Sequence, residues 1–471
     1  MPRGLICKLM EKMVNRRLVW WLEAHNFFSS VQCGFRKRRC TTDHLVRLDT
    51  AVRLAFKRKR HLLAVFFDIE KAYDTTWRAG ILSKLFNFGI RGHMGHFISN
   101  FLTDRHFSVR IGDTLPNQYT QEEGVPQGSV LSVTLFGVMI NDIVLCLPSG
   151  VSGSLYVDDF AIWCDVPTVA MGERRLQLCI NKIADWGSAN GFTFSKSKTV
   201  AIHFHNKRSV FSPPTLTLYQ EMIPVSSTAR FLGILFDHRL TYKPHVTELR
   251  TRCFTALNIL KVTSRMRFGA DRNTLLGLYR SLIRSKLDYG CHVYECTNSS
   301  TKNILNTVHH CAIRIATGAF RTSPITSLLV EANEPSLSMR REKLCMSYAL
   351  RIRHMPSHPT YGCLFDRNVL HAFSRRPGER SSTSPLPVLI QDWSLASGVS
   401  SSKVLSLSHG DLPPWEIAST VFDLSLTRFQ KCDTSSVVFQ AHLQKILSEK
   451  SDYIHFYTDG SKSDIGTGCA F

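Results

Sequence analysis

Residues 156–160 read Tyr-Val-Asp-Asp-Phe, and 90 positions upstream Asp68 closes the apolar run Leu62-Leu63-Ala64-Val65-Phe66-Phe67. A short hydrophobic strand ending in an acid and a tight acidic hairpin can meet on adjacent strands although they lie far apart in the chain. A fold that joins them must be built around that sheet. Three carboxylates gathered there would suit two hard divalent cations about 3.5 to 4 Å apart, an arrangement that activates an attacking hydroxyl and neutralises a departing phosphate. Each element alone has a plainer reading. An Asp-Asp pair turns many ordinary hairpins, and Asp68 would serve equally as a helix cap.

A third element lies between them. Glu123-Gly124-Val125-Pro126-Gln127-Gly128-Ser129 is a turn that opens into an apolar stretch running to Ile140. Gly124 and Gly128 allow close backbone approach, and Gln127 offers an amide to a base or sugar. A structural turn explains the glycines but not the order of all three elements.

In that order, Phe67-Asp68-Ile69-Glu70-Lys71-Ala72-Tyr73-Asp74, Gly124-Val125-Pro126-Gln127-Gly128-Ser129 and Tyr156-Val157-Asp158-Asp159 resemble the polymerase motifs of non-LTR (LINE-type) retrotransposon reverse transcriptases, most closely the jockey-like group. The resemblance implies that Asp68 and Asp158 bind both metals, with Asp159 as the supporting acid. Tyr73 matches the bulky position that stacks beneath the incoming sugar and excludes a 2′-hydroxyl; packing in a helix after the strand is its alternative. Gln127 and Gly128 would meet the incoming nucleotide and template. Gln32-Cys33-Gly34-Phe35-Arg36-Lys37-Arg38-Arg39 is similar to the family's fingers segment, with Arg36 and Arg39 as candidates for the triphosphate. Arg38 stands where the family usually has glycine, and Val133 where it usually has proline. Lys198 matches a lysine near the leaving pyrophosphate, and Phe231-Leu232-Gly233 the hairpin that positions the primer end.

Composition agrees with a polyanionic partner. The formal charge is +21, and residues 1–110 hold 21 Lys plus Arg against 8 Asp plus Glu. Such charge suits nucleic-acid backbone, although Lys57-Arg58-Lys59-Arg60 reads equally as an import signal. The 14 cysteines include no Cys-x-x-Cys pair and no secreted framework, so they read as reduced thiols, and Cys291 with Cys296 lacks ligand-spaced partners for zinc. No apolar run is long enough to span a membrane. An intracellular chain, nuclear or cytoplasmic, is expected.

Periodicity outlines the rest. Residues 1–30 read as helical, and Val246, Leu249, Cys253, Ala256, Leu257 and Leu260 recur at helical spacing, as do Leu275, Leu278, Tyr279 and Leu282. Arg250, Arg252, Lys261, Arg265 and Arg267 would face a duplex or simply solvent. The Ser/Pro-rich stretch 374–414 reads as a flexible linker. Tyr453–Thr458 reads as a strand ending in an acidic turn at Asp459, and residues 466–471 as its return strand. This hairpin resembles the start of a ribonuclease H domain, Asp459 matching its first metal ligand; lacking the other acids, such a stub should be inactive. Met1–Lys12 resembles a fingers motif entered partway, so a fragment of a longer element is expected.

The expected fold is an α+β right-hand polymerase. Its fingers and palm would span 1–205, the primer-grip hairpin and helical thumb 206–330, a helical connector 331–450, and a truncated ribonuclease H-like start 451–471. The expected reaction is RNA-templated DNA synthesis from a DNA primer and dNTPs with two Mg2+ ions, Mn2+ being a substitute. A catalytically dead remnant that only binds nucleic acid is the alternative.

Overall fold

The run that ends at Asp68 is buried on both faces. Leu62, Ala64 and Phe66 point into one hydrophobic core and Leu63, Val65 and Phe67 into another, so the strand reads as continuously apolar rather than alternating. The computed structural model describes residues 5–110, 112–113, 118–206, 212–265, 269–373 and 384–399, and beyond them 413, 415, 423, 425–429, 434–450, 459–463 and 466–470. Residues Met1–Asp411 form one compact unit and Leu412–Phe471 a second.

The first unit begins with helices α1 (Leu5–Ala24) and α2 (Thr41–Lys57), strand β1 (His61–Phe67), and helices α3 (Arg78–Asn87) and α4 (Gly92–Leu102). A short pair, β2 (His106–Phe107) and β3 (Tyr119–Thr120), precedes α5 (Val130–Ile140). The hairpin β4 (Ser152–Tyr156) and β5 (Asp159–Val166), helix α6 (Val169–Asn190) and strand β6 (Val200–Phe204) complete the central sheet. Its order is β4-β5-β1-β6, and every pairing is antiparallel. One core lies between this sheet and α5 and α6; the other carries α2 and the helices that follow.

Two further hairpins come next, β7 (Thr217–Leu218) with β8 (Glu221–Met222) and β9 (Thr228–Phe231) with β10 (Ile234–Asp237). Helices then dominate: α7 (Lys243–Thr263), α8 (Arg272–Tyr279), α9 (Ser285–Asp288), α10 (Cys291–Tyr294), α11 (Ser299–Thr317), α12 (Ile325–Glu331) and α13 (Leu337–Arg353). The six residues picked out from periodicity in α7 are all buried in it. Arg250, Arg252, Lys261 and Arg265 are exposed, and Arg267 lies outside the described residues.

Helices α14 (Tyr361–Phe365), α15 (Arg367–Phe373) and α16 (Leu386–Ala396) end the first unit. Helix α16 corrects the expectation of a flexible linker over 374–414. Pro385 caps it and Pro387 sits in its first turn, where proline costs no hydrogen bond. Leu386 and Ile390 are buried in the helical core. Of that stretch, residues 374–383, 400–412 and 414 lie outside the described residues.

The second unit contributes α17 (Ser436–Glu449) and a hairpin of β11 (Asp459–Ser463) with β12 (Gly466–Ala470). The expected hairpin is present, but Asp459 opens a strand rather than ending one, and residues 451–458 lie outside the described residues. Of Asp459 itself only the backbone pairing with Ala470 is described.

Buried polar groups tie α1 to the rest. Glu11 is 2% exposed, and its Oε2 accepts from Ser129 Oγ at 2.5 Å and Val130 N at 2.9 Å, at the first turn of α5. A carboxylate there satisfies helix donors and meets the positive end of the helix dipole. Glu11→Ala would strip a buried donor and the helix terminus of this acceptor. It is expected to lower stability by about 2 kcal/mol, read as a lower denaturation midpoint at unchanged slope.

Candidate active site

Asp68 is the first residue beyond β1, whose last pair sets Phe67 opposite Phe160 of β5. On the other side, the hairpin closes with Tyr156 opposite Asp159, leaving Val157 and Asp158 as a two-residue turn. Val157 has φ 61°, a left-handed conformation that a β-branched residue seldom adopts and that tends to persist at functional sites. The segment after α6 returns to the same place. Ser195 N donates to Asp68 O at 2.7 Å, and Lys198 Nζ lies 3.3 Å from Asp68 Oδ2.

Partial enclosure raises the Asp159 carboxyl to about 6, and Asp158 and then Asp68 push it the same way. The Tyr73 phenol is pushed up to about 12, first by enclosure and then by Asp158. Lys198 offsets only part of the charge of three carboxylates. That surplus, presented on oxygen, fits hard divalent cations.

A carboxyl whose folded pKa is raised contributes most to stability below its ordinary value of 3.8 and loses that contribution as pH rises through about 6. Asp159→Asn, neutral at every pH, is therefore expected to raise Tm at pH 8 in chelator, with the difference largely gone near pH 4. Parallel melts of the two proteins check this. An equal shift at both pH values would count against the clustering.

The glycine-rich turn packs against the segment after Asp68. Val125 N donates to Tyr73 O at 2.8 Å and Gly124 N to Thr76 O at 3.0 Å. Gly124 has φ +76°, and a Cβ there would come 2.4 Å from the Asp74 carbonyl oxygen, so its close approach is to protein backbone rather than to a ligand. Gly128 has φ +82°, which the turn requires, and a Cβ there would meet nothing within 4 Å. Gln127 Nε2 donates to Asp74 Oδ1 at 3.0 Å. Tyr73 stacks on Phe136 of α5 with ring centroids 4.6 Å apart.

The two arginines of the fingers-like segment part company. Arg36 makes a two-pronged pair with Glu23 at 2.7 Å per contact and donates to the carbonyls of Ser29 at 2.6 Å and Gln32 at 2.8 Å. This corrects the expectation that it meets a triphosphate: its donors hold the loop. Arg39 keeps its guanidinium half-buried, its pKa lowered by that burial, and among the described residues no acceptor reaches its buried Nη1. Phe231 and Leu232 point into the core, Phe231 packing on Phe66, so the β9–β10 turn offers backbone rather than side chains.

Three supports escape a reading of the chain alone. A Cβ on Gly34 would come 2.6 Å from Val157 N, so the fingers-like turn lies directly against the acidic hairpin. Arg78 Nε donates to Gly124 O at 2.7 Å and anchors the glycine-rich turn. Tyr289 Oη donates to Leu232 O at 2.7 Å, its ring next to Gly233. Only the invariably permissive residue types, the glycines, carried any signal, and not of which neighbour they meet.

The profile of the reverse transcriptase (RNA-dependent DNA polymerase) family matches residues 2–236. The chain is 26% identical over 318 residues to the "Probable RNA-directed DNA polymerase from transposon X-element" of Drosophila melanogaster, covering 66% of this chain and 34% of that protein. It is 25% identical over 364 residues to the RNA-directed DNA polymerase from mobile element jockey of the same organism, covering 74% and 38%. The chain thus spans about a third of the length of these curated relatives. Among solved structures, apo telomerase from Candida Tropicalis is similar with a TM-score of 0.40 and 10% identity, covering 77% of this chain and 61% of that one. The strand-borne acids, the glycine-rich turn and the family match over residues 2–236 agree, and the chain belongs to the reverse transcriptase (RNA-dependent DNA polymerase) family, whose members use divalent metal ions.

Proposed function

We propose that this chain copies RNA into DNA, joining deoxynucleotides to a DNA primer on an RNA template as part of a non-LTR retrotransposon. The observation that carries the reading is the meeting of Asp68, Asp158 and Asp159 with Lys198 where the central strands β1 and β5 of the sheet end and begin. The names of the jockey and X-element relatives support it. In this reading the central sheet is the palm, the segment around Gly34 and Arg39 belongs to the fingers, and the helices from α7 onward form the thumb and connector.

Asp68, Asp158 and Asp159 would hold two Mg2+ ions, with Mn2+ as a substitute; bound there, such ions lower the pKa of the primer 3′-hydroxyl and offset charge on the phosphates. The hydroxyl oxygen attacks the α-phosphorus of the dNTP, and the bond to the bridging oxygen breaks to release pyrophosphate. Lys198 supplies positive charge and a proton donor beside the leaving group. Tyr73, held flat by Phe136, blocks the space a 2′-hydroxyl would need. Gln127 presents its amide where the base pair forms, and Arg39, whose side chain is only partly buried, adds positive charge toward the triphosphate. The turn Phe231-Leu232-Gly233, braced by Tyr289, receives the primer end.

The test is primer extension on an RNA template with Mg2+, run with deoxynucleotides and separately with ribonucleotides. The wild-type chain is expected to use deoxynucleotides, and Tyr73→Ala to raise ribonucleotide use relative to deoxynucleotide use by about 10-fold or more, the scale of one steric contact at a sugar. Folded protein that binds primer and template without extending the primer would sink the reading.

A further inference from the structure

Cys291 of α10 and Cys345 of α13, 54 residues apart in sequence, bring their buried thiols together in the helical part of the first unit, beside the imidazole of His292. The sulfur atoms and one ring nitrogen all lie within 4.8 Å of one another. We propose that Cys291, His292 and Cys345 form a binding site for one thiophilic divalent cation, zinc by its chemistry, that ties α10 to α13. The chain alone showed only Cys291 and Cys296 as close neighbours and no partner ligands; the fold supplies Cys345 and turns His292 toward them.

The geometry is close to what zinc requires. Tetrahedral bonds of about 2.3 Å to sulfur and 2.0 to 2.1 Å to nitrogen place a sulfur and a nitrogen ligand about 3.6 Å apart. Cys291 Sγ and His292 Nδ1 stand 4.0 Å apart, so a small side-chain rotation closes the site. Two thiolates and a neutral imidazole balance the charge of a dication, which removes the penalty of burying an ion.

The three residues leave a fourth position open. Cys296 is buried as well but directs its thiol to the His292 carbonyl at 3.8 Å, away from the other three ligand atoms. Turning that thiol inward would complete a four-coordinate structural site; without it, water takes the open place. Either way the cation would stiffen the segment that presents Tyr289 and Gly290 to the β9–β10 turn. Gly290 lies so close to Ile234 that a Cβ on it would come 2.3 Å from the Ile234 side chain. The proposal is independent of the polymerase reading, since its readout is metal content.

The experiment uses the full chain, produced with zinc in the medium, purified without chelators and measured for bound metal by elemental mass spectrometry. About one zinc per chain is expected. Cys345→Ser should lower that at least tenfold, while Cys164→Ser, at a buried thiol of the central sheet, should leave it unchanged. Wild-type protein that leaves a desalting column free of zinc overturns the proposal, as does equal zinc content in wild type and Cys345→Ser, or equal loss in both variants. If Cys345→Ser fails to fold, cobalt loaded into the wild-type chain decides: a thiolate-to-cobalt charge-transfer band with tetrahedral ligand-field bands supports the site, and its absence overturns it.

Discussion

Replacing Asp158 with asparagine is expected to reduce RNA-templated primer extension at least about 10³-fold, the scale on which losing one strong electrostatic stabiliser slows an enzyme. The side chain keeps its shape, and Asp158 sits exposed in a two-residue turn whose closing pair is Tyr156 with Asp159. The fold should therefore survive, with an unchanged circular dichroism spectrum. What is lost is a negative oxygen beside Asp159, whose carboxyl Asp158 helps to hold above its ordinary value. Primer–template affinity, carried by basic residues, should change little and keep its dependence on salt. Extension within tenfold of wild type, on protein free of contaminating polymerase, would remove Asp158 from the reaction.

The second large effect comes from a residue that carries no chemistry. Gly34→Ala adds one methyl group that would come 2.6 Å from Val157 N and 2.8 Å from Val157 Cγ2. Ordinary contact begins near 3.4 Å, so the acidic hairpin or the fingers-like turn must move by about 1 Å, and a displacement of that size can cost about 10²-fold in rate. The turn has little room to yield, because Cys33 N donates to Leu155 O at 3.0 Å and Leu155 N to Val31 O at 3.3 Å, just ahead of the contact on both segments. Steady-state extension by the variant checks this, with nucleotide KM and kcat measured separately. A fall in kcat with little change in primer affinity is expected. An unchanged rate would show that the hairpin tolerates the shift.

Both predictions concern one hairpin, yet they differ in how visible they were in the chain. Asp158 announces itself because two carboxylates between apolar residues need an explanation, and Asp68 because it ends a strand buried on both faces. The helix α7 was equally legible: its apolar spacing picks out six of the seven residues buried in it, His245 being the exception. In these cases the information is local, since side-chain type and periodicity within one element decide burial. Helix α16 shows the limit. Serine and proline around it suggested a linker, but Leu386 and Ile390 find a hydrophobic surface that the local composition does not reveal.

Amino-acid order by itself therefore marked the side chains proposed for the chemistry, Asp68, Asp158, Asp159, Tyr73, Gln127 and Lys198, and the class of fold that can gather them. The tertiary structure alone decided that the two neighbouring arginines differ, because Glu23 occupies Arg36 whereas Arg39 buries an Nη1 that no acceptor reaches among the described residues. It also decided that Gly34 braces Val157, that Tyr289 holds the turn at Leu232, and that Cys345 joins Cys291 and His292. The physical reason is range. Ionisable groups and periodic burial are written into a few adjacent residues, whereas a donor's acceptor or a glycine's neighbour comes from a segment tens to hundreds of positions away and exists only once the chain has packed.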